Sequence, residues 1–444
     1  MNRHHPQRFS ILIFGVFIAI ICMLMASCDD KVEITQKYTV MEAVFMSPQE
    51  LRSSFDITPP VEIANSGKIY LYKNYLFLNE PGKGIHIINN DDKLQPKVLS
   101  FINIPGNYEM AVRGDRLFAD SYVDMVVLDI SDPSHITLVK RIEDIFLDLA
   151  VENQFYDMEN GIITDYQPKE IIEVKEGEFN SGFPSYYSYN TGFAMRGEFL
   201  TMDMAMSSFA PEIAPQVSTG IGGSMARFTI SKEHLYSISN STMQVFDISD
   251  LDNPVPGANF FVQWGIETIF PYKDNLFIGS QSGMIIYDNS NPAAPTHLST
   301  FSHIISCDPV VVQGDLAYVT LRGGSGCRND FTNQLDVIDI SDLRNPKLLV
   351  SHPMTNPHGL GIDSGTLFIC EGSAGLKIFE ASDIYKIPSN LLAYYGDFDA
   401  FDVIPYNNNL IMVGKDGLHQ FDYSNPAEIQ FLSTIEIHRE EPVE

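Results

Sequence analysis

Met125-Val126-Val127-Leu128-Asp129-Ile130-Ser131-Asp132-Pro133 and, further along, Leu335-Asp336-Val337-Ile338-Asp339-Ile340-Ser341-Asp342 share one plan: an apolar run closed by Asp-Ile-Ser-Asp. The phrase stands again at Asp247–Asp250. Worn copies follow at Asp288-Asn289-Ser290-Asn291, Glu380-Ala381-Ser382-Asp383 and Asp422-Tyr423-Ser424-Asn425, with the earliest at Asn89-Asn90-Asp91-Asp92. Consecutive copies lie about 40 residues apart, the pitch of a unit of four short strands in a radial all-β repeat.

Each unit has the same grammar. An apolar run meets a turn with Gly, Asn or Asp; a second run carries aromatics; a further turn precedes the run that ends in the Asp phrase, and a fourth run follows a Pro. Thr268-Ile269-Phe270, Leu276-Phe277-Ile278 and Met284-Ile285-Ile286-Tyr287-Asp288 show it well, with Pro292 and Pro295 beyond. Runs this short, separated by turn chemistry, predict an all-β β-propeller over residues 64–440. Innermost strands are expected to start near Ile69, Met110, Leu149, Phe228, Thr268, Pro309, Leu360 and Val403, which gives eight four-stranded blades, with seven as the alternative. The third unit is irregular: Leu147–Val151 opens it, no Asp phrase closes it, and an insertion near 175–224 precedes the next regular unit. A connection of that length is either a functional lid or a mobile excursion.

The two stretches quoted first resemble the LVIVD repeat, a bacterial extracytoplasmic propeller repeat. The resemblance covers most of residues 64–440 and implies a β-propeller, often on a secreted or lipid-anchored protein. It implies no general activity. The first and third units depart from the pattern.

Arg3, His4, His5 and Arg8 precede an apolar stretch from Phe9 to Met25 and then Ala26-Ser27-Cys28. A basic start, a short apolar core and small residues read as a secretory leader over residues 1–27. Cys28 at that place resembles the lipobox cysteine of bacterial lipoproteins, which implies lipidation there; an ordinary cleaved leader is the alternative. Asp29-Asp30 resemble the export tag of surface lipoproteins. Together these predict an outer membrane lipoprotein at the cell surface, or one facing the periplasm, with residues 28–63 as tether and N-terminal segment packed on the first or last blade.

The chain carries 28 Lys and Arg against 57 Asp and Glu, a net charge of −29, and loss of Arg3 and Arg8 with the leader leaves 26 against 57, or −31. A field of that sign disfavours nucleic acid and anionic lipid surfaces and favours cations and cationic partners. It also serves plain solubility. Only Cys307, Cys327 and Cys370 remain in the folded part, too few for a disulfide-built scaffold. Over such a length the chain can bury its own core, and it is expected to be monomeric.

Aligned units place one residue before each innermost strand: Lys68, Glu109, Asp148, Arg227, Glu267, Asp308, His358 and Asp402. In a propeller those strands line the axis, so these side chains are expected to form a ring at one channel mouth. Five of the eight are carboxylates, a crowd that would raise some carboxyl pKa values or attract a cation such as calcium. Against this stands the routine duty of Asp in satisfying backbone N–H groups. Glu80, Asp120, Asp165, Asn240, Arg322 and Glu371 should share the face. The Arg322–Arg328 loop, rich in Gly, reads as a long hairpin more than as an anion clamp. Cys307 and Cys327 are expected to be bonded across its base, or else to be free thiols. Cys370 reads as a small buried hydrophobe.

No His-Glu-x-x-His, Cys-x-x-Cys or Gly-x-Ser-x-Gly occurs, so zinc hydrolase, redox and serine hydrolase chemistry lack their usual anchors. No catalytic or metal-binding residue is assigned and no cofactor is expected. Two functions compete. One is a non-enzymatic binding or scaffold module whose acidic channel-mouth face meets a glycan, peptide or protein partner. The alternative is a glycan hydrolase or lyase using a carboxylate pair at that mouth.

Overall fold

The computed structural model describes residues 31–147, 150, 155–178, 221–222, 224, 226–302, 309–323 and 333–438. Residues 1–30, with the expected leader and Cys28, the cysteines Cys307 and Cys327, the ring positions Asp148 and Asp308, and most of the insertion near 175–224 fall outside the described residues. The chain divides into two units, residues 1–44 with 165–197 and residues 45–164 with 198–444.

Two long neighbouring strands, Lys31–Met46 and Gly161–Glu178, supply most of what is described of the first unit. Lys37 pairs there with Glu170 at 2.6 Å. Within the span expected to hold the tether and N-terminal segment, Lys31–Met46 form a strand.

The second unit is the propeller. Among the described residues there are eight sheets, as expected, and seven of them carry the four-stranded meander. Their innermost strands are Ile69–Tyr72, Met110–Arg113, Phe228–Ser231, Ile266–Tyr272, Val310–Gln313, Leu360–Asp363 and Ala400–Tyr406. The eighth sheet, from the irregular third unit, has three strands: Lys31–Met46, Gly161–Glu178 and Tyr156–Asp157. It sends no strand to the axis. Met110–Arg113 packs directly beside Phe228–Ser231, so the ring itself has the seven blades of the alternative reading. Residues 148, 149 and 151 of the expected inner strand Leu147–Val151 fall outside the described residues; the Ala150 N–H donates to the Phe146 carbonyl at 3.0 Å.

Apolar faces of adjacent blades form the core. Phe368, Leu376 and Ile378 of one blade meet Val403, Leu410 and Met412 of the next, all fully or almost fully buried. Equivalent clusters fill the other seams. A middle strand is covered on both faces, which is why Asp124 through Leu128 is an unbroken buried run, whereas the outer strand Val255–Phe261 is almost wholly exposed. At about 1.5–3 kcal/mol for each large apolar side chain buried, the seams dominate the cohesion of the ring.

The recurring phrase is a corner. Its first residue accepts the N–H two residues on: Asp129 from Ser131 at 2.8 Å, Asp247 from Ser249 at 2.8 Å and Asp339 from Ser341 at 2.9 Å. Its second residue donates its N–H to the first turn of the same blade, Ile130 to Asp115, Ile248 to Glu233 and Ile340 to Asp315, each at 2.9 Å. Worn copies do the same, as with Asn90 to Asn74 and Tyr423 to Asn408. Turn chemistry, with no metal, accounts for the repetition.

Among the described residues no strand is shared across the closing seam. First and last blades are joined by a reciprocal amide pair, Asn90 to Gln420 at 2.8 Å and Gln420 to Asn90 at 2.7 Å. The Ser433 hydroxyl adds a bond to the Lys93 carbonyl at 2.6 Å, and His438 N–H reaches the Ile63 carbonyl at 2.8 Å. The N-terminal segment packs on the first blade, where Asp56–Thr58 pairs with Phe101–Asn103. It also grips the second: the helix Pro48–Ser53, closed by a Ser47/Glu50 capping box, sets Arg52 on buried Asp124 at 3.0 Å.

Candidate functional site

Hairpin register fixes which residues are equivalent at the axis. Innermost strands end at Tyr72, Arg113, Ser231, Tyr272, Gln313, Asp363 and Tyr406, each paired across its turn. Four residues back stand Lys68, Glu109, Arg227, Thr268, Pro309, Gly359 and Asp402. The eight-residue ring is therefore corrected. Glu267 and His358 lie one residue before the equivalent position, which Thr268 and Gly359 take.

What remains is an arc. Asp402, Lys68, Glu109 and Arg227 belong to four blades in succession around the ring, and they converge. The Lys68 ammonium contacts the Glu109 carboxylate, both side chains being buried. The second Glu109 oxygen accepts the Arg227 N–H at 2.9 Å, and the Arg227 guanidinium donates to the Glu267 carbonyl at 3.2 Å. Asp120, on the strand beside Glu109, accepts from the Asn107 amide and from the Tyr108 and Glu109 N–H groups, all at 2.8 Å.

Burial governs the electrostatics. It draws the Lys68 ammonium well below its usual range, Arg227 adding to the effect while Asp120 and Asp402 oppose it. It lowers Arg227. It lifts the Asp120 carboxyl to about 7, against the pull of the Tyr108 N–H, Lys68 and Asn107. Asp402, wholly buried, is pushed well above the usual carboxyl range, with the Val403 N–H and Lys68 opposing.

The other expected residues gather elsewhere. His358 shares a hydrogen bond with Asn356 at 3.1 Å and lies against the Phe401 ring. Buried Glu371 accepts from Lys377 at 2.8 Å and from the Thr355 N–H at 3.2 Å. Glu80 holds His86 at 2.9 Å and Lys83 at 2.7 Å. Glu267 accepts from Gln281 at 3.1 Å. Asp165 is in the other unit. Cys370 is fully buried in the core, as expected. Sequence reading missed Asn107 and Lys377, which hold two of these carboxylates; Asn107 carried no signal, while Lys377 interrupts the apolar run of the strand Leu376–Glu380.

Chemically the arc is closed on itself. Glu109 is neutralised by a lysine, one Asp120 oxygen is occupied by three N–H groups, and Asp402 is sealed from solvent. Among the described residues no group of three or more His, Cys, Asp or Glu is placed to hold a metal ion, and no helix is long and apolar enough to cross a membrane.

Such a ring of four-stranded meanders defines a β-propeller. The family described as LVIVD repeat matches residues 109–144 and 306–352, the first span running from Glu109 through the outer strand Thr137–Ile142, one whole blade. The chain is thus a β-propeller that carries LVIVD repeats over those two spans. Among solved structures it is similar to Sqt1 of Saccharomyces cerevisiae, at 8% identity over 89% of this chain and 90% of that one, TM-score 0.48. Hsv2 of Kluyveromyces lactis is similar at 11% identity over 85% and 99%, TM-score 0.46. BamB of Moraxella catarrhalis follows at 8% over 87% and 97%, TM-score 0.43. At such identities and scores these likenesses say nothing of what the chain binds. No curated protein matches the sequence.

Proposed function

We propose that this chain is a non-enzymatic binding or scaffold module of the cell envelope, held by a lipid on Cys28 in the outer membrane and presenting its channel-mouth face to a glycan, peptide or protein. One observation carries the reading: the carboxylates that hydrolysis would need are consumed by the fold. A glycosidase needs two carboxyls flanking open space, about 5–10 Å apart, whereas Glu109 is committed to Lys68 and the Arg227 backbone and Asp120 to three N–H donors. The net charge of −29 supports partners that are neutral or cationic.

The Asp120 carboxyl near 7 is the one observation that favours the hydrolase reading. Both readings meet in one assay: a panel of oligosaccharides and peptides is incubated with the full-length protein, and retention and bond cleavage are scored together. Retention without cleavage is expected. Cleavage that disappears in both Asp120→Asn and Asp402→Asn would establish the hydrolase instead. Anchoring is checked by palmitate labelling, which Cys28→Ala is expected to abolish.

A further inference from the structure

The chain has a single tryptophan, and Trp264 stands 61% exposed on the connection between two blades. Phe261, 58% exposed, meets it edge to face with ring centroids 5.8 Å apart. Two large aromatic faces turned to water forgo roughly 1.5–3 kcal/mol each of burial, so their placement asks for a reason.

Local folding does not supply one. The connection is held from both sides: Val262 and Ile266 N–H groups donate to the Ser241 and Asn240 carbonyls of the blade behind, at 2.8 and 3.1 Å. Ahead, the Gln263 amide donates to the Ser280 and Ser282 hydroxyls at 2.9 and 2.7 Å, and Gln281 N–H donates to the Gly265 carbonyl at 2.8 Å. The equivalent connection between the first two blades is built alike. Gly106 has φ +74° where Gly265 has +75°, and its carbonyl accepts the Tyr122 N–H at 3.2 Å. There Pro105 occupies the place of Trp264. The bend needs its glycine and the backbone bonds; it does not need an exposed indole.

A rigid loop presenting an aromatic corner, rimmed by amide and hydroxyl groups and by the Gln281–Glu267 pair at 3.1 Å, has the chemistry of sugar recognition. The C–H faces of a pyranose stack on aromatic rings, and its hydroxyls exchange hydrogen bonds with amides and carboxylates. Anionic polysaccharides and anionic membranes are opposed by the chain's charge of −29. A two-ring corner is also small beside the extended apolar patches that bury protein partners. We infer that Phe261 and Trp264 form the stacking platform of a binding site for a neutral oligosaccharide. This rests on the binding-module reading and narrows it to one ligand class and one place.

Because Trp264 is the only indole, fluorescence excited on the red side of the tyrosine absorption band reports on this site alone. Full-length protein is titrated with cellotetraose, xylotetraose, laminaritetraose, maltotetraose and chitotetraose, and with a phosphatidylcholine vesicle as the membrane control. At least one saccharide is expected to shift the emission saturably and to protect the indole from acrylamide quenching. Phe261→Ala should weaken that saccharide at least tenfold with an unchanged unfolding midpoint. Trp264→Ala, read by calorimetry, should abolish its binding. Saccharide binding that survives both substitutions would overturn the platform while leaving the module reading intact. No spectral response to any of the five, or a response to the vesicle alone, would overturn the saccharide assignment. Cleavage of a bound saccharide would overturn the non-enzymatic reading and leave the platform standing.

Discussion

Lys68 and Glu109 form a buried ion pair, and such pairs add little stability but are costly to break. Glu109→Gln leaves a buried ammonium without its direct counter-charge and is expected to cost about 3 kcal/mol in urea unfolding. Lys68→Met combined with Glu109→Leu should recover most of that loss; a double variant as unstable as the single would contradict the pairing. Asp120 gives the pH counterpart. Its carboxyl, raised from 3.8 to about 7, keeps in the fold a proton that the unfolded chain releases. This contribution is present in full below about pH 4 and is lost as pH rises through about 7. Asp402 acts in the same direction. Asp120→Asn should therefore flatten the fall in thermal midpoint between about pH 4 and 7, and an unchanged slope would sink the assignment. Polar residue types at the hub were readable in the sequence. Their exact membership was not: a one-residue change in spacing separates Glu267 from Thr268, and only hairpin register reveals it.

Single elements were the most legible scale, because the Asp phrase is a local structure with local bonds. Within it the two leading residues do unequal work. Ile340 is 4% exposed and packs into a seam, so Ile340→Ala is expected to cost about 2–4 kcal/mol in chemical denaturation. Asp339→Ala loses one turn bond at the surface, about 1 kcal/mol. Equal costs at the two positions would mean that the corner, and not the seam, dominates. The third unit shows where element reading failed. Leu147–Val151 has the apolar content of an inner strand, but the Asp144 N–H is captured by Asp124 at 2.8 Å and the Ala150 N–H by the Phe146 carbonyl. Composition cannot distinguish these outcomes when a tertiary partner decides them. Lys31–Met46, outside the repeats, is a strand whose neighbour lies more than a hundred residues away.

Across the whole molecule, the sequence period revealed the architecture but not the number of blades on the axis, since a repeat count includes units that leave the ring. Closure was equally hidden, resting on side-chain amides and not on a swapped strand. Gln420 is fully buried and Asn90 nearly so, and either amide left alone would strand its partner. Asn90→Ala and Gln420→Ala are each expected to cost about 1–3 kcal/mol, with the double variant far short of the sum. Hydrogen exchange should rise first in the strands Gly84–Asn89 and Gly417–Asp422, the outermost blades in sequence. Uniform acceleration around the ring would argue against a weak seam.

That seam has a topological corollary. Each four-stranded meander is one uninterrupted segment, the first being extended by Ile221–Gly222 on its inner edge and Asp56–Thr58 on its outer edge, and the His438 N–H touches the Ile63 carbonyl, so the gap between them is short enough for a few linking residues. Circular permutants that fuse these ends and open elsewhere, for instance at exposed Gly396-Asp397, should retain the native circular-dichroism spectrum, because the order in which the blades are synthesised is immaterial to the wheel they complete.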